Sequence, residues 1–158
     1  KSYRLGLGLG AVAKVSEQLN LLGNVTFSQN KNRDFKIEGS NLVDNIGNTT
    51  ISFSPSIIAN AIIQYKPVKN LQLNLSNQYV GKQYLDNTET EALSLKDYFL
   101  SDFNAQYSFK IAQQNVSFQF LLNNIFNKKY INNGFVYDGP FYYAQAGRNF
   151  MIGVNLKL

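Results

Sequence analysis

The sequence predicts an all-β chain that forms part of a transmembrane antiparallel β-barrel, and three observations carry the prediction. Seven segments alternate apolar and polar residues with a period of two. The connections between them alternate short and long along the chain. The apolar parities carry no charge in mid-strand, and aromatic residues collect near the strand ends. The connections are the most telling, because membrane barrels have short turns at one end and long loops at the other, whereas soluble sandwiches distribute loop lengths irregularly.

The first strand, about 3–15, sets Tyr3, Leu5, Leu7, Leu9, Ala11, Ala13 and Val15 against Arg4, Gly6, Gly8, Gly10, Val12 and Lys14. Glycines weaken a strand, and on an inner face they make sense where a second object approaches the wall closely. A turn at Ser16-Glu17-Gln18 leads to a second strand, about 19–29, with Leu19, Leu21, Gly23, Val25 and Phe27 on one parity. From about 30 to 52 the period is lost among Asn, Lys, Asp, Gly and Thr, the mark of a long functional loop. The third strand, about 53–66, carries Ile57, Ala59, Ala61, Ile63 and Tyr65 on its apolar parity, with Pro55 at a tolerated starting position and Pro67 as its stop. After the turn Pro67-Val68-Lys69-Asn70, the fourth, about 71–82, sets Leu71, Leu73, Leu75, Asn77 and Tyr79 against Gln72, Asn74, Ser76 and Gln78.

A second long loop, about 83–97, contains Asp86, Glu89 and Glu91. The fifth strand, about 98–110, alternates Phe99, Phe103, Tyr107 and Phe109 with Asp102, Asn104 and Gln106, and a short turn gives the sixth, about 116–126. A third long loop, about 127–145, is rich in Tyr, Asn and Gly, with no strand period expected in it. The seventh strand, about 146–158, is regular again: Phe150, Ile152, Val154, Leu156 and Leu158 against Asn149, Gly153, Asn155 and Lys157. An open sheet edge in hydrocarbon strands a row of backbone groups, so an odd number of strands is expected to be one piece of a larger barrel. Lys1, with neither a start methionine nor an apolar leader after it, fits that expectation.

Composition narrows the chemistry. The net charge is +5 with a pI of about 9.3, but the cations are scattered over separate turns and loops, which argues against a nucleic-acid stripe. There are no cysteines and no histidines, so the commonest metal ligands and the commonest general base are missing. Asp86, Glu89 and Glu91 share one polar loop with no apolar pocket to raise a pKa, and Gly6, Gly8 and Gly10 lie within a strand rather than before a helix. No catalytic, metal or cofactor site is therefore expected, and the chain reads as a non-enzyme.

Three stretches carry a resemblance: Gln78-Tyr79-Val80-Gly81-Lys82-Gln83-Tyr84-Leu85-Asp86-Asn87-Thr88, Asn123-Asn124-Ile125-Phe126-Asn127-Lys128-Lys129-Tyr130, and Gln145-Ala146-Gly147-Arg148-Asn149-Phe150. In this order they resemble the C-terminal barrel of TonB-dependent outer-membrane receptors, most closely the Bacteroidetes kind. The resemblance implies a 22-stranded barrel closed by an N-terminal plug, of which this chain would be about the last seven strands and last three extracellular loops. It implies uptake of a scarce nutrient (ferric siderophore, haem, cobalamin or oligosaccharide) across the outer membrane of a Gram-negative bacterium. The implied partners are outer-membrane lipid, the plug and preceding strands of the same receptor, TonB through that plug, and the nutrient. Such barrels usually end in an aromatic residue, and this chain ends in Leu158.

The candidate ligand contacts are Tyr130, Asn132, Asn133, Tyr137, Phe141, Tyr142 and Tyr143 of the third long loop, an aromatic and amide set of the kind that stacks on planar or sugar-like ligands. The plain alternative is a packed loop whose rings bury against each other. At the level of the whole chain, the alternative is a soluble β-sandwich or small barrel that binds a lipophilic ligand, which would not need one end's loops to be systematically longer.

Overall fold

The computed structural model describes residues 1–38 and 43–157. Its strands are β1 (Ser2–Lys14), β2 (Leu19–Glu38), β3 (Val43–Thr50), β4 (Ile57–Val68), β5 (Leu71–Val80), β6 (Gln83–Tyr84), β7 (Ser94–Leu95), β8 (Tyr98–Ile111), β9 (Gln114–Asn123), β10 (Ile131–Val136), β11 (Pro140–Ala144) and β12 (Asn149–Lys157). One antiparallel sheet runs β1-β2-β4-β5-β8-β9-β12, with β3 beside β2 off this path. Two small ladders, β10-β11 and β6-β7, stand apart from it. Leu158, the residue on which the seventh strand was expected to end, lies outside the described residues.

The period-2 alternation of each strand becomes two faces once register is fixed. In register across the sheet lie Ala13, Leu21, Ile63, Leu75, Phe103, Leu122 and Phe150, an apolar row crossing all the strands of the path. On the opposite face Asn20, Gln64, Asn74 and Asn104 are cross-strand neighbours, as are Gln72, Gln106 and Gln119. Several of these amides bond to one another: Asn74 Nδ2 donates to Asn104 Oδ1 at 3.1 Å, and Asn60 Nδ2 to Asn24 Oδ1 at 3.1 Å. Asn77 and Ser101 interrupt the apolar face, but as cross-strand partners they satisfy each other, Ser101 Oγ donating to Asn77 Oδ1 at 2.6 Å. A Cβ at Gly8 or Gly10 would meet its nearest neighbour at 3.8 Å, so the sheet itself does not demand glycine at those inner positions.

Aromatics bound the apolar face at both ends. Toward one end lie Tyr65, Tyr107, Phe109 and Phe118, with Phe109 stacked on Phe118 at 5.7 Å. Toward the other lie Phe27, Tyr79, Phe99 and Phe126, with Phe99 against Phe126 at 6.4 Å. Between these belts the face is open: Leu5 is 67% exposed and Ile152 70%. An apolar area spread over a whole sheet face demands an apolar environment.

The turns at 15–18, 69–70 and 112–113 all fall at the Tyr65 end, and every long excursion falls at the other. Two of the excursions differ from expectation. In place of a loop over about 30–52, β2 continues to Glu38 and pairs with β3, with register shifts near Phe35. The third contains the β10-β11 hairpin where no strand period was expected. The β2-β3 pairing is largely polar on both faces and the β10-β11 hairpin mixed on both, so neither shows the clean apolar alternation of the wall. The second excursion holds only the β6-β7 ladder and a 3-10 turn at Glu91–Leu93.

Candidate functional site

The third excursion is fastened at its base by asparagines. Asn124, 5% exposed, has a φ of 53°, and Asn127 one of 51°, a left-handed conformation that asparagine tolerates better than most residues. The Asn124 N–H donates to Asp102 Oδ1 on β8 at 2.7 Å. Its side chain then ties both ends of the excursion together: Nδ2 donates to the carbonyls of Lys128 (2.9 Å) and Ala146 (3.3 Å), while Oδ1 accepts from the Lys128 N–H at 2.8 Å. Asn127 Oδ1 accepts from the Arg148 N–H at 3.0 Å, and a Cβ at Gly147 would sit only 2.6 Å from that oxygen, so a side chain there would displace the Asn127 amide. Two of the three motifs singled out in the sequence are thus one hydrogen-bonded clamp.

Above the clamp Tyr130 packs on Tyr98 at a ring distance of 4.7 Å. Desolvation, and secondarily the nearby Asp102 carboxylate, push its phenol above the ordinary tyrosine range, so it stays neutral. The hairpin follows, Phe135 paired with Phe141, Asn133 with Tyr143 and Gly134 with Tyr142. Phe135 and Phe141 stack at 4.9 Å with planes 10° apart, and Tyr143 lies 6.1 Å from Phe135. The opposite face of the hairpin docks on the second excursion. Tyr142 Oη donates to the Ala92 carbonyl at 3.1 Å, and buried Gly134 lies so close to the Phe141 carbonyl and Leu85 that no side chain fits.

The candidate residues are therefore divided. Tyr130 is a half-buried prop, Tyr142 is a contact between excursions, Phe141 and Tyr143 belong to an exposed aromatic slab, and Tyr137 stands at the hairpin tip, 88% exposed. Asn132 is exposed at the register shift between Ile131 and Asn133, and Asn133 Oδ1 is turned back to accept from the Gly134 N–H at 2.8 Å. Phe135, central to the slab, was missed. Its signal was the spacing of Asn133 and Phe135 before, and Phe141 and Tyr143 after, the Asp138-Gly139-Pro140 turn.

The first and second excursions are also joined. Glu89, at a φ of 60°, accepts from the Thr50 N–H at 2.7 Å and from Lys31 Nζ at 3.3 Å, while Lys31 Nζ donates to Thr50 Oγ1 at 2.8 Å. Burial alone would raise the Glu89 pKa, but the Thr50 hydrogen bonds and the Lys31 charge outweigh it and hold the carboxyl below its ordinary value. Ser52 N–H donates to Asn87 Oδ1 at 2.9 Å and Phe53 N–H to the Tyr84 carbonyl at 2.9 Å. Lys82 pairs with Glu91, and that hydrogen bond raises the lysine's pKa. The three excursions thus form one layer over the end of the sheet.

No family model matches the chain. A ferrioxamine receptor of Yersinia enterocolitica is 29% identical over 129 residues, 80% of this chain and 17% of that receptor. The chain thus spans about a sixth of the length of the curated relative it matches. The siderophore receptor PiuA of Acinetobacter baumannii is similar in structure with a TM-score of 0.80 at 21% identity, over 97% of this chain and 21% of that one. BauA, the ferric preacinetobactin receptor of the same organism, gives 0.69 at 23% identity, over 96% of this chain and 21% of that one. The fold is that of a sector of an antiparallel transmembrane barrel wall, the architecture of these receptors.

Proposed function

We propose that this chain is the C-terminal wall and loop-bearing part of a TonB-dependent outer-membrane receptor that imports a ferric siderophore. The observation that carries the reading is the wall itself: an apolar face between two aromatic belts, an amide-lined opposite face, and all long excursions at one end. Phe99 and Phe109 bracket β8. Ten residues at about 3.3 Å each, tilted about 40°, give roughly 25 Å of height, the thickness of an outer-membrane apolar band. On this reading the amide face looks onto the plug, lipid covers the other face, and the layer of excursions lies outside the cell.

Support for siderophores among the nutrients comes from the ferrioxamine receptor and the siderophore receptors to which the chain is similar. The Bacteroidetes affinity rests on the three motifs. The free edges of β1 and β12 would pair with the preceding strand and with the first strand of the same barrel, and energy would reach the receptor through TonB and the plug.

The test is iron uptake by the host of the complete receptor, with and without its gene, in iron-limited medium supplied with single ferric siderophores. Loss of energised uptake of at least one, restored by the gene and abolished by a protonophore, is the expected result. Unchanged uptake of every ferric chelate, with loss of cobalamin, haem or oligosaccharide uptake instead, would refute the siderophore assignment.

A further inference from the structure

A cleft of about 370 Å³ opens between the second and third excursions. Leu95, 2% exposed, and Ile131 supply its apolar lining, and Ser94, Tyr142, Lys96 and Lys129 complete it. Among the described residues neither Lys96 nor Lys129 has a carboxylate within 4.0 Å, whereas Lys31 and Lys82 at the same end of the sheet are paired with Glu89 and Glu91. The Tyr142 hydroxyl is committed to the Ala92 carbonyl, so what it offers the cleft is its ring. Two uncompensated cations beside an apolar and aromatic lining form a site for a flat group bearing concentrated negative charge.

We infer that this cleft is a subsite for one catecholate arm of a ferric siderophore. The inference rests on the reading of the chain as part of a ferric-chelate receptor and names the class of chelate. The arm's ring would lie on Tyr142 and Ile131, and its oxygens would accept from the Lys96 and Lys129 ammonium groups. A ferric tris-catecholate carries three net negative charges and keeps them on oxygens that still accept hydrogen bonds. A ferric tris-hydroxamate is neutral at its iron centre, has aliphatic arms, and gives the lysines nothing to compensate. The cleft volume lies at the low end for ligand pockets, suited to one arm with the rest of the complex above it.

The test uses the complete receptor purified in detergent, with two probes: the ferric complex of a synthetic tris-catecholate and that of a linear trihydroxamate. Lys96→Gln and Lys129→Gln should each weaken tris-catecholate binding about tenfold, and together about a hundredfold. Lys96→Arg should retain most of the affinity, and trihydroxamate binding should not change. Unchanged tris-catecholate affinity in a double variant that is still heat-modifiable overturns the subsite. So does equal weakening of both probes, which would assign the lysines to loop packing. A receptor that binds the trihydroxamate and not the tris-catecholate also overturns it while leaving the ferric-chelate reading intact. Binding of neither probe, nor of ferric citrate, sinks both.

Discussion

Leu75 pairs with Phe103, which sits midway along β8 between Phe99 and Tyr107, so it lies near the middle of the apolar band. Replacing it by arginine places a charge at the depth where hydrocarbon is hardest to hydrate, at a cost of about 2 to 4 kcal/mol. Ser76 is one residue further on and at nearly the same depth, but faces the other way beside Asp102, its cross-strand neighbour. Arginine there gains a carboxylate partner in a polar setting, and its effect should stay within about 1 kcal/mol. A difference of some 2 kcal/mol is roughly a thirtyfold change in the folding equilibrium. Reversible urea unfolding of the complete receptor in lipid vesicles, followed by gel-shift of the folded barrel, reads that difference. Equal tolerance at the two sites would refute the assignment of the faces, because depth is shared and only side differs.

Asn124→Ala should loosen the third excursion by about 2 to 4 kcal/mol, losing side-chain hydrogen bonds and straining a left-handed backbone, with protease nicking between 128 and 145 as the readout. Because the Glu89 carboxyl is held below its ordinary value, its contact with Thr50 is at full strength above the usual carboxylate range and is lost as pH falls through the lowered value. A fall in the protection of the Thr50 amide in acid, relative to its intrinsic exchange rate at the same pH, absent in Glu89→Gln, would report it. Tyr137→Ala should leave the fold unchanged and Tyr142→Ala should free the hairpin from the second excursion, which comparative proteolysis distinguishes. Refolded alone in detergent, this chain should fail to give a monodisperse, heat-modifiable monomer, since β1 and β12 each keep an unpaired edge.

The wall was legible because its two faces differ in chemistry along most of each strand, as in β5, where Leu71, Leu73 and Leu75 alternate with Gln72, Asn74 and Ser76. Its ends were less so: β12 begins at Asn149 rather than near 146, because the Arg148 N–H is held by the Asn127 side chain instead of by a neighbouring strand. The outer part of β2 and all of β3 escaped notice because residues such as Lys31, Asn32 and Thr49 are polar on both faces, and backbone pairing needs no apolar stripe. In the candidate site, the rings were visible as residue types, but not which hairpin face each would take. The cleft was beyond reach, since its lining comes from two separate excursions whose docking no strand period announces.

The asparagine clamp makes the third excursion a cassette. Because Asn124 joins Lys128 to Ala146 before the hairpin begins, the span between is closed off mechanically from the strands on either side. Its length and composition should therefore be open to change without disturbing the register of β9 against β12. A wall built this way can vary what it carries at its outer end while keeping the strands it stands on, and a graft between these two residues is the natural unit for moving this excursion onto another barrel.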